Sequence, residues 1–245
     1  MIATDMLKKL IIIVFLTQCS GISKDSNEYT VISRFTEVTI HIDGDLSEPC
    51  WQSASKLPLL NNYDGTPINE NSFRSYAMTC YDSDNLYIAF VNRDHQIFSH
   101  YSFRDEFLWK EEVVEVFIDT DDFLSTYIEL EISPKNVLFD SYITDTANID
   151  LVATPLFDLE GWHTGVAVHG TINNNSDCDS LWTVEMAIPF TSLESDFNIK
   201  KIADYIWKIN FYRLDRDDLG PTNYAWSPTY GRFHTPSKFG KIIFR

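Results

Sequence analysis

Apolar and polar residues alternate along most of this chain, and such alternation predicts strands with one face in a core. In residues 111–119, EEVVEVFID, the aliphatic side chains alternate with Glu115, Phe117 and Asp119. The same pattern recurs in residues 37–44, 73–81, 85–94, 125–133, 136–144, 162–172, 181–190, 206–215 and 238–245. The chain is therefore predicted to consist mainly of short strands.

Turn sequences such as YDSDN, SPKN and NNNSDCD separate these stretches, which is typical of an antiparallel β-sandwich. No long segment keeps the 3.6-residue period of a helix, and the best helical candidates are single turns at 48–56 and 191–196. We predict an all-β fold, an antiparallel β-sandwich of jelly-roll or immunoglobulin-like type. Two long segments, 95–110 and 216–237, are predicted to be loops that carry binding residues, because they are rich in aromatic and charged side chains.

The N-terminus has the organisation of an export signal. Two lysines precede the apolar run 10–16, LIIIVFL, which is too short to span a bilayer. The LTQC that follows resembles a bacterial lipobox, with glutamine where a small residue is usual. We predict a signal peptide over residues 1–18 and a tether over residues 19–36 that carries lipid on Cys19. The alternative is soluble secretion, and both place the protein outside the cytoplasm: as an outer-membrane or cell-surface lipoprotein, or else as a periplasmic or secreted protein.

The formal net charge of −17 argues against nucleic acid as a partner, because a phosphate backbone would be repelled. Many carboxylates make calcium a candidate cation, although no run has the spacing of a helix-loop-helix calcium site. Besides Cys19 the chain has Cys50, Cys80 and Cys178, so at least one thiol is unpaired, and the pairing among them stays open. Their spacing fits no zinc site.

Acidic residues lie on the non-aliphatic face of two neighbouring predicted strands. Residues 125–133 place Tyr127, Glu129 and Glu131 on that face. If this strand pairs with 111–119 as a hairpin, Glu115 and Glu129 share one face. Two close carboxylates suit glycoside hydrolysis, whereas an ordinary exposed strand face also carries glutamates.

Aromatic residues give a second signal, because sugar rings stack on flat side chains and bond to polar groups at the edges. Trp109 and Trp226 lie in the predicted loops, where exposure is common, and Trp109 precedes the strand that carries Glu115. Trp51, Trp182 and Trp207 lie next to alternating strand residues and are expected in the core. These residues predict a sugar site built from Trp109, Glu115 and a second ring from residues 216–237.

Several stretches together resemble the family 9 carbohydrate-binding modules and their relatives in the DOMON-like β-sandwich superfamily. They are IDGDLSEPCW (42–51), CYDSDNLYIAFVNRD (80–94), EEVVEVFID (111–119), WTVEMAIPFTSL (182–193), WKINFYRLDR (207–216), AWSP (225–228) and FHTPSKFGKIIF (233–244). The resemblance covers nearly all of residues 38–245. It implies one carbohydrate-binding β-sandwich over residues 37–245.

The resemblance also implies a site. Characterised members hold the end of a sugar chain between two aromatic rings, which correspond to Trp109 and to Phe233, where the best-studied site has tryptophan. The strand glutamate corresponds to Glu115, and an arginine of that site falls near Glu129. We place Arg232 or Trp226 at the rim.

The function that the resemblance implies is non-catalytic binding of an oligo- or polysaccharide at the cell envelope, in support of polysaccharide breakdown. No cofactor is required, calcium stays a candidate, and neighbouring glycoside hydrolases are the expected protein partners. The membrane is contacted only through the lipid anchor.

Three alternatives remain at this point. One is a glycoside hydrolase that uses Glu115 and Glu129. Another is a structural lipoprotein with a degenerate pocket, suggested by Phe233 and Glu129. The third follows from relatives in the same superfamily that bind haem between the sheets.

For the haem alternative, the candidate axial ligands are Met78 or Met186 with His163, His169 or Lys208. Both methionines lie in apolar strand patterns, where packing in the core is the commoner role.

Overall fold

The computed structural model describes residues 29–68, 74–150, 153–217 and 220–245. The predicted signal peptide and Cys19 lie outside these residues. Within them, no helix has both the length and the apolar character needed to cross a membrane.

The described residues form short strands joined by loops and single helical turns. The strands are β1 (Thr30–Phe35), β2 (Leu57–Pro58), β3 (Leu60–Asn61), β4 (Ser75–Tyr81), β5 (Asn85–Arg93), β6 (Val113–Asp119), β7 (Tyr127–Ile132), β8 (Leu138–Ile143), β9 (His163–His169), β10 (Leu181–Pro189), β11 (Ile206–Asp217), β12 (Gly220–Ala225) and β13 (Gly240–Phe244). The helices are α1 (Pro49–Ser53) and α2 (Phe190–Leu193), with 3₁₀ turns at Leu108–Lys110, Thr154–Leu156, Ile199–Asp204 and Pro236–Lys238.

The strands follow one another in the order β8-β7-β6-β11-β13-β1-β4-β5-β10-β9, and the sheet curls into two layers. The first layer is β8, β7, β6, β11 and β13; the second layer is β4, β5, β10 and β9. Strand β1 joins the two layers because it pairs with β13 over its first residues and with β4 at its end. Outside this order, the small strand β12 pairs with β11 and β3, and β2 pairs with β4.

The main core lies between the layers. Aliphatic residues of β6 and β7, including Val116 and Leu130, share one buried cluster with Ile88 and Val184 of the second layer. Phe90 and Phe211 of opposite layers meet edge to face at a centroid distance of 5.9 Å. Large apolar side chains on both inner faces therefore supply the main driving force for closing the sandwich.

The predicted all-β sandwich is confirmed, with corrections to its details. Strand β1 runs parallel to both of its neighbours, so the sandwich is not purely antiparallel. The same strand lies inside the predicted tether, so the folded part begins before residue 37. Strand β12 lies inside the predicted loop 216–237, where it pairs with β11.

Residues 37–44 were predicted to be a strand, and this is wrong. Instead of joining a ladder, the segment is bound to a side chain: the backbone N–H groups of Asp43 and Gly44 donate to the Glu185 carboxylate. Gly44 has a φ of +87°, and a Cβ there would lie 2.4 Å from the Ala167 nitrogen, so only glycine fits. Alternation of apolar residues was a misleading signal in this segment.

Candidate functional site

Strands β6 and β7 pair as the predicted hairpin, and their outer face is polar and aromatic. Glu115 lies directly opposite Glu131, and Phe117 directly opposite Glu129. Residues opposite each other in an antiparallel pair point to the same side of the sheet. Glu115, Glu129 and Glu131 therefore share the face of the first layer that points away from the main core.

A cavity of about 670 Å³ opens on this face, within the size range of small-molecule sites. Loops from four parts of the chain surround it, and the strands form its floor. Its lining residues are Tyr63, Trp109, Glu115, Glu129, Phe139, Ile149, Thr154, Leu214, Asn223, Gly231, Arg232, Phe233 and His234.

The two predicted stacking residues both line this cavity. Trp109 lies in the 3₁₀ turn just before β6, and its ring meets Phe139 edge to face at 5.2 Å. Phe233 lies in the loop after β12, where Tyr212 stacks on it at a centroid distance of 4.1 Å and an interplanar angle of 16°. Neighbouring rings thus fix both aromatic side chains before any ligand arrives.

The three glutamates are buried, with exposed fractions of 2% for Glu115, 6% for Glu129 and 0% for Glu131. An ordinary exposed strand face, the alternative left open above, is therefore wrong. Burial raises the pKa of Glu129 to about 7 and, aided by the charges of the neighbouring glutamates, raises the pKa of Glu115 and of Glu131 well above the ordinary value. The Ser141 hydroxyl donates to Glu129 at 2.9 Å.

His234 is a cavity residue that the sequence did not single out. Its ring stacks on Phe117 at 5.2 Å, and its Nδ1 lies 2.5 Å from the Tyr127 hydroxyl. Burial, followed by the charge of Arg232, lowers the pKa of His234 to about 4, so its imidazole is neutral at physiological pH. Its position beside Phe233 in FHTPSKFG was the one signal that could have found it.

Tyr63 and Asn223 were also missed. The amide of Asn223 donates to the Tyr63 hydroxyl at 2.9 Å, across 160 residues of sequence. Asn223 belongs to β12, which had been predicted to be loop, and Tyr63 follows the short strand β3. No local pattern connects two such distant polar residues.

The two predicted rim residues have different outcomes. Arg232 lines the cavity and is exposed, and its guanidinium donates to the Thr146 carbonyl at 3.3 Å. Trp226 is 4% exposed and packs in the main core against Phe211 and Tyr29, so its predicted place at the rim is wrong. Its backbone N–H continues the pairing of β12 with β11, which turns the indole inward.

A second group of buried charges lies on the inner side of β11. The guanidinium of Arg213 contacts Asp94 at 2.5 Å, Glu112 at 2.7 Å and Asp215 at 3.3 Å. Arg213 also donates to Ser75 and to the Arg93 carbonyl. It ties strands to loops, and it does not line the cavity.

The candidate haem ligands are distributed over different parts of the molecule. Met186 packs in the main core. Met78 and His169 line a smaller cavity of about 380 Å³ on the outer face of the second layer, not the space between the sheets. Lys208 forms an ion pair with Asp122.

Comparison with known proteins connects this geometry to a family. Residues 42–245 match the family described as "Carbohydrate family 9 binding domain-like". A curated relative, an "Extracellular protein" of Arthroderma benhamiae, is 29% identical over 201 residues, which cover 75% of this chain and 84% of the relative.

Solved structures share the fold at low sequence identity. A candidate carbohydrate-binding protein from Bacteroides uniformis has a TM-score of 0.66 at 15% identity, over 89% of this chain and 99% of that chain. A family 9 carbohydrate-binding module from Caldicellulosiruptor kristjanssonii in complex with cellotriose has a TM-score of 0.58 at 14% identity, over 88% of this chain and 93% of that chain. The same kind of module with glucose has a TM-score of 0.56 at 14% identity, over 88% and 95%.

Proposed function

This chain belongs to the carbohydrate family 9 binding domain-like family, and from that premise we propose that its cavity binds the end of a carbohydrate chain without catalysing a reaction. One observation carries the proposal: Trp109 and Phe233, far apart in sequence, line one cavity together with Glu115 and Glu129. Aromatic faces beside carboxylates are what a sugar ring requires.

Each side chain has a role that its chemistry allows. Trp109 and Phe233 stack on the C–H faces of the sugar, while Glu115 and Glu129 accept hydrogen bonds from hydroxyl groups. Arg232 stands at the rim and donates to the outer part of the ligand. Because the rings are already fixed by neighbours, binding costs little side-chain entropy.

Binding is favoured over hydrolysis by the direction of the two acids. A glycosidase places its carboxyl groups on either side of the scissile bond. Glu115 and Glu129 point from neighbouring strands to the same side of one sheet, so both would contact the same side of a ligand.

The family neighbours suggest which ligands to test first. The Caldicellulosiruptor structures are complexes with cellotriose and with glucose, so glucose and β-1,4-linked glucose oligomers are the first probes for this chain. We place the protein outside the cytoplasm, attached through Cys19 and working near glycoside hydrolases. The export signal in the sequence and the extracellular description of the Arthroderma relative support this location.

The test is a glycan screen followed by calorimetry on any ligand found. The variants are Trp109→Ala and Phe233→Ala, and the matched control is Phe103→Ala, since Phe103 is 74% exposed and outside the cavity. We expect each cavity variant to weaken binding by roughly tenfold or more, because an aromatic contact contributes about 0.5–1.5 kcal/mol beyond its buried area. Unchanged binding in both cavity variants would refute the stacking site.

A further inference from the structure

The three glutamates under the cavity form a tight cluster of oxygen atoms. One carboxylate oxygen each from Glu115, Glu129 and Glu131 lies within 4.8 Å of the others. All three side chains are buried, and two of them line the cavity floor, while Glu131 lies behind them. The cluster therefore borders the proposed ligand on one side and the sheet on the other.

The described part of the chain supplies no ion pair to this cluster. The charge of Arg216 acts on Glu115, but its guanidinium donates to the Asp215 carbonyl and to Asn223. Neither oxygen of Glu131 has a hydrogen bond of good geometry, although the Trp109 backbone and the Glu129 carboxyl are near it. Burial of a carboxylate oxygen without a hydrogen-bond donor costs folding free energy. The unpaired oxygens of Glu131 therefore point to a missing ligand.

The geometry fits a hard divalent cation. Calcium binds oxygen ligands at about 2.3–2.6 Å, so two oxygens on one ion are at most about 5 Å apart, as in this cluster. Three carboxylates supply between three and six of the six to eight oxygens that calcium takes, and the rest must come from elsewhere. Zinc is disfavoured because the cluster has no imidazole or thiolate.

We propose that Glu115, Glu129 and Glu131 bind a calcium-class divalent cation beneath the cavity, and that its open coordination positions take two adjacent hydroxyl groups of the sugar. The second half of this proposal rests on the proposed function. The ion offsets the charge of the three carboxylates, and it gives the site a preference for sugars that present a pair of neighbouring hydroxyls.

The first experiment is calorimetric titration of Ca²⁺, and separately of Mg²⁺, into the purified protein after treatment with EDTA. The variant is Glu131→Gln, which removes a ligand that does not line the cavity, and the control is Glu160→Gln on the exposed surface. We expect calcium to bind the parent protein and the control, with affinity at least about tenfold lower in Glu131→Gln. Glu129→Gln is the second variant, should Glu131→Gln not fold.

Absence of calcium and magnesium binding to the parent protein at millimolar concentration would overturn the cation site, whatever the variants do. Equal calcium affinity in the parent and both variants would place the ion elsewhere and overturn it as well.

The second experiment measures binding of a glycan found in the screen, in calcium and in EDTA. We expect the affinity to fall at least about tenfold in EDTA, and to recover when calcium is restored. Equal glycan binding in both buffers would overturn the hydroxyl contact while leaving the proposed function intact. Calcium binding without any glycan binding would instead reject the proposed function and retain the ion site.

Discussion

Two buried carboxylate triads lie on opposite faces of the first layer and differ in their counter-charge. Asp94, Glu112 and Asp215 surround the guanidinium of Arg213, which contacts all three. The triad of Glu115, Glu129 and Glu131 has no such cation within the described residues and borders a cavity. The first triad has an arginine in contact with each of its carboxylates, whereas the second has none among the described residues, and there we propose a bound cation. A buried charge cluster indicates function when the fold leaves its counter-charge to a ligand.

The largest expected effect comes from removing the counter-charge of the first triad. Arg213→Met leaves three buried carboxylates unpaired, and breaking a buried ion pair by losing one partner costs about 3–5 kcal/mol. The free energy of unfolding, measured by chemical denaturation, should fall by that amount. Arg34→Met, on the exposed surface, should change it by less than about 0.5 kcal/mol. A similarly small loss in Arg213→Met would show that the triad does not need its arginine.

A matched pair of glutamine variants compares the triads directly. Without divalent cations, Glu131→Gln should raise the free energy of unfolding by up to about 1 kcal/mol, because like charges directly opposite on a sheet repel. Glu112→Gln should lower it, since Glu112 accepts a 2.7 Å hydrogen bond from Arg213. Chemical denaturation of both variants in EDTA shows whether each substitution raises or lowers the free energy of unfolding. The same sign in both would mean that the triads do not differ as described.

Adding calcium should reverse the effect at the second triad only. The parent protein gains stability from a bound ion, whereas Glu131→Gln gains less, so the variant becomes the less stable of the two. The melting temperatures in EDTA and in calcium give the measurement. An unchanged order of stability in calcium would argue that no ion binds to this triad.

A smaller effect concerns Glu185, a buried carboxyl outside both triads. It accepts hydrogen bonds from Trp51, Asp43 and Gly44, yet burial raises its pKa to about 7. Between the ordinary pKa near 4.5 and about 7, the folded protein holds this proton and the unfolded chain releases it, so stability is lost as pH rises through that window. Relative to the parent protein, the Glu185→Gln variant should therefore become more stable as the pH rises from 5 to 8. A constant difference would show that the pKa of Glu185 is not raised.

The smallest expected effect is on thiol reactivity and leaves stability unchanged. Cys178 is exposed, whereas Cys50 and Cys80 are buried in the cluster that contains Trp51. Among the three cysteines of the described residues, only Cys178 should react quickly with a thiol reagent, and Cys178→Ser should abolish that fast reaction. Fast reaction of Cys50 or Cys80, identified by mass spectrometry of the labelled protein, would show that the Trp51 cluster opens readily.

Much of the fold could be predicted because its strands alternate between apolar and polar residues. The hairpin of β6 and β7 followed from two such stretches joined by a short turn. Strand β1 was missed because it follows a polar segment, and residues 37–44 were misassigned because a side chain, Glu185, binds their backbone. Local patterns do not show which partner satisfies a backbone N–H.

The candidate site could be predicted in part. Trp109 and Glu115 were found from their places around one strand, and Phe233 was found from the family resemblance. The burial of the acidic face was not predictable, because distant loops cover it and cavity contacts such as Tyr63 with Asn223 join remote segments. Trp226 was misplaced because β12, which directs it inward, looked like loop in the sequence.

Strand β1 has a mechanical consequence. It enters the middle of the sheet and runs parallel to β13, with Thr30 beside Lys241 and Ser33 beside Phe244. A pull on the chain ahead of Thr30, in the direction of the strand, loads these hydrogen bonds together in shear and does not unzip them one at a time. A domain tethered through its N-terminus could thus hold a polymer under flow while its sandwich stays closed.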